Sequence, residues 1–246
     1  MTPQTPIGKE RSVAELAGRV AVVTGGSRGI GRAIAVSFAK AGAHVAGCAR
    51  RAEGGSFLDD LNPEQRKACR FLACDVRVGE QVNRFRDQVE AAFGPADVLV
   101  NNAGIVARAS VVSLSEDTWN DVLASNLTGT FLVTRAFLPA MKSRRGGGRI
   151  INVSSIAGRT GTPMLSAYCA AKHGVVGFTR ALAEELRGDG IVVNAICPGS
   201  VDTEMLGQGM PGATPKMTTD EVAAVALFLA TAAPAALTGA CIDVFG

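Results

Sequence analysis

The sequence predicts an α/β domain built on a doubly wound, parallel, seven-stranded sheet with helices on both faces. Three observations carry this expectation. Short β-branched runs alternate with longer amphipathic stretches, the rhythm of parallel strands joined by crossover helices. A glycine-rich turn lies between the first such run and the first helical stretch. The 246 residues also fit one domain, because a single sheet can organise a chain of this length.

The elements follow in order. Val20–Val23 reads as the first strand, followed by the glycine turn and a helix through about Ala41. Val45–Cys48 is the second strand and Phe71–Ala73 a short third, with a helix from about Val78 to Phe93. Val98–Val100 is unbroken in its apolar character, which predicts a fourth strand buried on both faces. Trp119, Leu123, Leu127 and Phe131 recur every fourth residue, so one long helix is expected over about Glu116 to Ser143. Arg149–Val153 is the fifth strand, Ala167 to Leu186 a helix, and Ile191–Ile196 the sixth strand.

The stretch from Glu204 to Thr218 carries Gly207, Gly209, Pro211, Gly212 and Pro215. Such density of helix breakers predicts a loop that leaves the neighbouring pocket relatively open, suited to bulky or carrier-bound ketones. Thr218, Thr219, Asp220 and Glu221 then form a capping-box pattern that opens a helix through about Leu229. Ile242–Val244 closes the sheet. Residues 1–16 are polar and read as a flexible N-terminal extension, with a single domain over 17–246. No apolar signal-peptide core precedes it, so a cytoplasmic protein is expected.

Composition excludes several function classes. Hydrophobic residues make up 47% and charged residues 19%, which argues against wholesale disorder. No apolar run approaches the roughly 18 residues of a membrane span. The net charge is only +3, and the one basic cluster, Lys142, Arg144, Arg145 and Arg149, is interleaved with glycines and reads as a solvated loop. Nucleic acid is therefore not an expected partner. The six cysteines form no CxxC pair and read as free, buried thiols of a reducing compartment. The two histidines, His44 and His173, have no metal-ligand spacing, so no metal is expected.

The segment Thr24 to Gly31 joins the first strand to the first helix, with Gly25, Gly29 and Gly31 spaced GxxxGxG around Ser27, Arg28 and Ile30. Backbone without side chains there turns tightly and approaches a pyrophosphate, whose charge meets a helix N-terminus. Cofactor choice is read at the end of the second strand, where an acid would bond the ribose hydroxyls of NAD. Here Ala49 stands in that place and Arg50 follows. A missing carboxylate removes repulsion against a 2′-phosphate and a guanidinium grips it, so Arg50 and Arg28 favour NADP(H). Asp75, with Val76 beside it, follows the third strand, where it suits either an adenine amino group or a helix cap.

The chain resembles the short-chain dehydrogenase/reductase family, of Rossmann-type fold, and within it the 3-oxoacyl-acyl-carrier-protein reductase type. Five motifs match in order: Thr24–Gly31, Asp75, Asn101 to Gly104, Tyr168 to Lys172, and Pro198-Gly199. The chemistry can also be argued from the residues. Hydride transfer to a carbonyl leaves an alkoxide that needs a proton, and a tyrosine beside a cation can supply it. Tyr168 and Lys172 lie four apart, on one helix face, so Lys172 is expected to draw the phenol's pKa toward neutrality. Tyr168 is the only tyrosine.

Ser154, at the end of the fifth strand, is the expected hydroxyl for the substrate oxygen, with Ser155 the lesser candidate. The resemblance implies that Asn126 holds a water in a proton relay to the lysine. It also implies that Asn102, Ala103 and Gly104 meet the adenosine ribose and central sheet, although Asn102 equally suits a turn residue bonding its own backbone. Pro198, Gly199, Val201 and Thr203 are implied to clasp the nicotinamide carboxamide. The reading is an NADPH-dependent ketoreductase with catalytic Asn126, Ser154, Tyr168 and Lys172. It acts on a small-molecule carbonyl substrate, free or carrier-bound, and is expected to assemble, as the family commonly does, into a homotetramer or homodimer. An oxidative alcohol dehydrogenase is the alternative. A non-catalytic nucleotide-binding scaffold is disfavoured, because it needs no activated phenol.

Overall fold

The computed structural model describes residues 15–51, 56–144 and 146–246. Its seven strands are β1 (Val20–Thr24), β2 (His44–Ala49), β3 (Cys69–Ala73), β4 (Val98–Asn101), β5 (Gly148–Val153), β6 (Ile191–Pro198) and β7 (Cys241–Val244). They stand in the order β3-β2-β1-β4-β5-β6-β7, with every neighbouring pair parallel. The order reverses at β1, which pairs with both β2 and β4. In such sheets that switch opens a crevice at the strands' carboxyl ends.

Side chains alternate across the sheet and feed two cores. On one face Val23, Val100, Ile151 and Ile196 meet Ile34 and Phe38 of α1 (Gly29–Lys40) and Val222 and Leu229 of α8 (Thr219–Ala230). On the other, Val22, Leu99, Ile150 and Val193 meet α3 (Gly79–Phe93), α5 (Gly129–Ser143) and α6 (Ser166–Glu185). Phe85 of α3 and Phe137 of α5 meet edge to face there, 5.8 Å apart. Truncating either to alanine would cost about 3–5 kcal/mol.

A buried polar brace fixes the end of the sheet that matters for function. Asn101, the last residue of β4, donates from Nδ2 to Thr134 Oγ1 on α5 and to Asn152 Oδ1 on β5, both at 2.9 Å. Asn152 donates in turn to Thr179 Oγ1 on α6, also at 2.9 Å. Two strands and two helices are thus held in register where their carboxyl ends meet.

All seven expected strands are present, and Thr218 caps α8 in a capping box with Glu221 as the pattern required. Three expectations need correction. The long helix over 116–143 is α4 (Glu116–Leu123) and α5, separated by a π-helical turn at Ala124–Thr128. The segment after β2, for which no element was expected, holds a short 3-10 turn at Phe57–Asp60 and α2 (Pro63–Lys67). The loop expected from Glu204 to Thr218 begins instead as a helix, α7 (Glu204–Gly209), which Thr203 caps by accepting from Leu206 N–H. One local cap outweighs the breakers because Gly207 and Gly209 cost a six-residue helix little beside its tertiary contacts.

The basic cluster is not a solvated loop either: Lys142 pairs with Asp189, Arg144 with buried Asp97, and Arg149 lies within β5. Arg145 falls outside the described residues, as does almost all of the expected N-terminal extension. Its final residue, Leu16, is buried in the core and bonds Ala41 O through its N–H. All six cysteines are free thiols. No helix among the described residues is long and apolar enough to cross a membrane.

Candidate active site

A cleft of about 1080 Å³ opens where the strands end. Gly25, Ser27, Arg28, Gly29, Ile30, Arg50, Asp75, Val76, Asn102, Ala103, Gly104, Ser154, Tyr168, Lys172 and Thr203 all line it. Gly31, Asn126, Pro198, Gly199 and Val201 do not. They stand one layer behind: Val201 is buried and bridges to Met217, and Gly199 N–H is bonded to Val244 O.

The glycine turn owes its composition partly to a neighbour the sequence did not reveal. A Cβ on Gly31 would lie 2.3 Å from Asn102 Nδ2, and one on Gly25 would lie 2.8 Å from it. Asn102 fills that space and donates from Nδ2 to Thr24 O and Gly25 O, while Thr24 Oγ1 accepts from Asn102 and Ala103 N–H. Asn102 therefore ties the loop after β4 to the glycine turn rather than bonding its own backbone. Gly25 and Gly29 also have backbones that favour glycine, at φ +71° and +56°.

Asp75 lies on the cleft with its carboxylate bound by Arg77, which holds it below the usual carboxylate range. Arg77 also reaches Asp121 of α4. The cap of α3 is Val78, so Asp75 is not the helix cap. At the end of β2, Ala49 and Arg50 line the cleft, and Arg50 contributes to lowering the Asp75 carboxyl. Arg28 also lines it, with its guanidinium paired to Glu204 at the start of α7.

The catalytic candidates converge on α6. Tyr168 and Lys172 are both buried, and Lys172 Nζ sits 5.6 Å from the phenol ring centroid while donating to Val153 O at 2.8 Å. The expectation that Lys172 lowers the phenol is corrected by this environment. Burial disfavours the charged form of each group, so it pushes Tyr168 up to about 12 and Lys172 down to about 8. The one group that pulls the phenol back is the hydroxyl of Ser155.

That hydroxyl bears on the choice between the two serines as well. Ser154 continues the side of β5 occupied by Asn152, and both bond to α6: Ser154 Oγ donates to Lys172 O at 3.0 Å. Ser155 begins the short turn after β5, where its hydroxyl caps Ala157 N–H and lies near enough to Tyr168 to pull the phenol down.

Asn126 sits in the π-helical turn, a conformation concentrated at functional sites. Its Nδ2 donates to Ile105 O and Val122 O, while Oδ1 is buried without a partner. A Cβ on Gly104 would meet that Oδ1 at 2.3 Å and Lys172 Nζ at 3.8 Å, so Gly104 is the gap between them. Sequence reasoning missed Met205 of α7, whose sulfur accepts from the phenol hydroxyl at 3.8 Å. Around the phenol, Val122, Ala157, Leu165 and Ala171 form an apolar cluster to which Ile105, Val106 and Met205 are joined. The phenol is thus covered by α7 instead of open to a loop.

The residues present fit a dinucleotide. The turn before α1 supplies backbone without side chains, the end of β2 has Ala49 where an acid would stand with Arg50 next to it, and a buried amide oxygen awaits a partner beside Lys172.

Residues 19–212 match the family model described as short chain dehydrogenase. The 3-oxoacyl-acyl-carrier-protein reductase of Haemophilus influenzae is 39% identical over 188 residues, 76% of each chain. The D-threitol dehydrogenase of Mycolicibacterium smegmatis is 41% identical over 236 residues, covering 92% of this chain and 90% of its own. Among solved structures, a variant of the actinorhodin polyketide ketoreductase with NADPH superposes with a TM-score of 0.83 at 36% identity, over 93% of this chain and 96% of that one.

Proposed function

The chain belongs to the short chain dehydrogenase family and is an oxidoreductase, and from that premise we propose that it reduces a ketone to a secondary alcohol with NADPH. One observation carries this reading: a phenol with a serine hydroxyl near it and a buried amine beside it lines a cleft whose β2 end bears Arg50 and no carboxylate. Bound NADPH supplies the hydride.

This chain's residues handle the proton. The Ser155 hydroxyl bonds the carbonyl oxygen and stabilises charge developing on it. Tyr168 Oη donates its proton to that oxygen, and an alkoxide is a stronger base than a phenolate even when burial raises the phenol to about 12. Lys172, lowered to about 8, still carries a proton at neutral pH and restores the phenol. Asn126 Oδ1 holds a water between Lys172 and solvent, filling its unmet acceptor. Ser154 holds the α6 backbone at Lys172. Gly25, Ser27, Gly29, Ile30 and Gly31 cradle the pyrophosphate, and Arg28 and Arg50 bind the 2′-phosphate. Asp75 and Val76 flank the adenine, Asn102 to Gly104 the adenosine ribose, and Pro198, Gly199, Val201 and Thr203 the carboxamide side.

The substrate is a β-keto compound, a 3-oxoacyl thioester or another bulky ketone, consistent with the apolar surroundings of the phenol and with the reductases this chain resembles. The enzyme works in the cytoplasm as a homotetramer, for which the part-exposed Trp119 of α4 and Phe131 of α5 supply apolar contacts. The test is a panel of ketones, β-ketoesters and a 3-oxoacyl thioester followed by loss of NADPH absorbance, repeated with NADH. Turnover with NADPH on at least one β-keto substrate is expected. Silence across the panel, or a clear preference for NADH, overturns the reading.

The near full-length match to a D-threitol dehydrogenase favours a second reading, oxidation of a polyol. It is tested by supplying D-threitol and related polyols with the oxidised cofactors and following reduced nicotinamide as it forms.

A further inference from the structure

Arg28 stands in the glycine turn, and its partner in this structure is Glu204, 176 residues later, in the first turn of α7. Both side chains are exposed, and both line the cleft. The next residue, Met205, takes the hydroxyl of Tyr168. Two adjacent residues of one short helix therefore occupy two groups that catalysis needs: a cation for the cofactor's phosphate and the proton donor for the substrate.

We propose that Glu204 is a specificity-determining residue that competes with the cofactor's 2′-phosphate for Arg28, so that only a phosphorylated dinucleotide releases the start of α7 from the glycine turn. The inference rests on the reading of Arg28 as a phosphate ligand. Its physics is simple. A 2′-phosphate brings up to two negative charges and three acceptor oxygens, against one carboxylate. Once Arg28 turns to the phosphate, Glu204 is left facing like charge, and α7 loses its tie to the turn. A cofactor without that phosphate leaves the Arg28–Glu204 pair, and Met205 over Tyr168, undisturbed. Recognition at the adenosine end is thereby linked to access at the phenol. Glu204 acts here as a positioning residue, since it touches neither hydride nor carbonyl.

The experiment measures dissociation constants of NADPH, NADH, 2′,5′-ADP and ADP by calorimetry for the wild type, Glu204→Gln, Glu204→Asp and Arg28→Gln, with folding checked by circular dichroism. Glu204→Gln is expected to tighten NADPH and 2′,5′-ADP about three- to tenfold, as befits one exposed charge. NADH and ADP should stay within about twofold, and the gain should shrink in high salt. Glu204→Asp should keep the wild-type ratio in part, and Glu204→Gln should add nothing in the Arg28→Gln background. In the wild type, the ketone KM should be lower with NADPH than with NADH, and that gap should narrow in Glu204→Gln. An unchanged NADPH-to-NADH ratio in Glu204→Gln, with the wild type still preferring NADPH, overturns this inference alone. A wild type that binds both cofactors equally overturns the NADP reading and this inference together.

Discussion

At the amino end of the sheet, Asp97 is buried at 3% exposure and both its oxygens are engaged: Oδ2 accepts from Val20 N–H at 2.8 Å, and Oδ1 pairs with Arg144 at 2.6 Å and Arg19 at 3.6 Å. At the carboxyl end, Asn126 is buried at 1%, yet its Oδ1 has no partner, and Tyr168 and Lys172 are both displaced in pKa by burial. An unpaired buried acceptor costs about 1–3 kcal/mol. The same fold therefore surrounds one buried polar group with three partners and leaves another wanting. Asp97 staples the end of β1 to the segments around it. In the proposed reading, the polar groups around Tyr168 find their partners in cofactor, substrate and water. Burial does not tell these two residues apart; what differs between them is whether the partners are in place.

Four experiments bear on that contrast, from the largest effect to the smallest. Tyr168→Phe should lower kcat about 10³-fold, close to 4 kcal/mol of transition-state stabilisation, with an almost unchanged Tm. Equal loss of stability would mean that the phenol is structural. Asp97→Ala should do the reverse. It leaves the buried Val20 N–H without its acceptor and half-buried Arg144 without its partner, and destabilises the fold by about 1–3 kcal/mol in denaturant titrations, while folded molecules keep their cofactor affinity.

The third experiment varies pH. Folded Lys172 gives up its proton near pH 8, while the unfolded chain keeps it to about 10.5. Between these values the unfolded state binds more protons, so stability rises with pH, by about 2 kcal/mol from pH 8 to 10. Above 10.0 Tyr168 opposes this, because the folded phenol holds its proton to about 12 while the unfolded one releases it. Over the same rise through pH 8, kcat/KM should fall as Lys172 loses the proton it supplies. Lys172→Met should flatten the stability slope. A rate and a stability that climb together would break the assignment. Smallest of all, Thr218→Ala should cost about 1 kcal/mol through the cap of α8, without effect on turnover.

The fold was legible wherever a local pattern and a tertiary demand agreed. Short apolar runs, most of them β-branched, marked the strands, and the residues from Thr218 to Glu221 announced α8. The failures fall where the two part company. Asn62-Pro63-Glu64-Gln65 carries its own capping box with proline at the first helical position, a signal present in the sequence but outweighed by the shortness of α2. Thr203 gave a similar hint for α7, which the following glycines masked. The π-helical turn is invisible to periodicity, although an asparagine at a helical position hinted at it. At the site, the four-residue spacing of Tyr168 and Lys172 put them on one face as expected. Their pKa values were misjudged because proximity is legible in spacing and desolvation is not. Ser155 was passed over for the same reason: which of two adjacent hydroxyls meets the phenol depends on where the chain turns after β5. The pairing of Arg28 with Glu204 spans most of the chain and leaves no local trace.

Tyr168 has a consequence for the bench. As the chain's single tyrosine, buried at 8% with its hydroxyl on a methionine sulfur, it makes the protein its own optical indicator. Phenolate formation changes the ultraviolet spectrum, and here every such change comes from one reacting group. An absorbance titration of the unlabelled protein therefore reads the ionisation of the proton donor directly. Repeating it with cofactor added would measure how far the ligand moves that ionisation, with no substrate, turnover or substitution required.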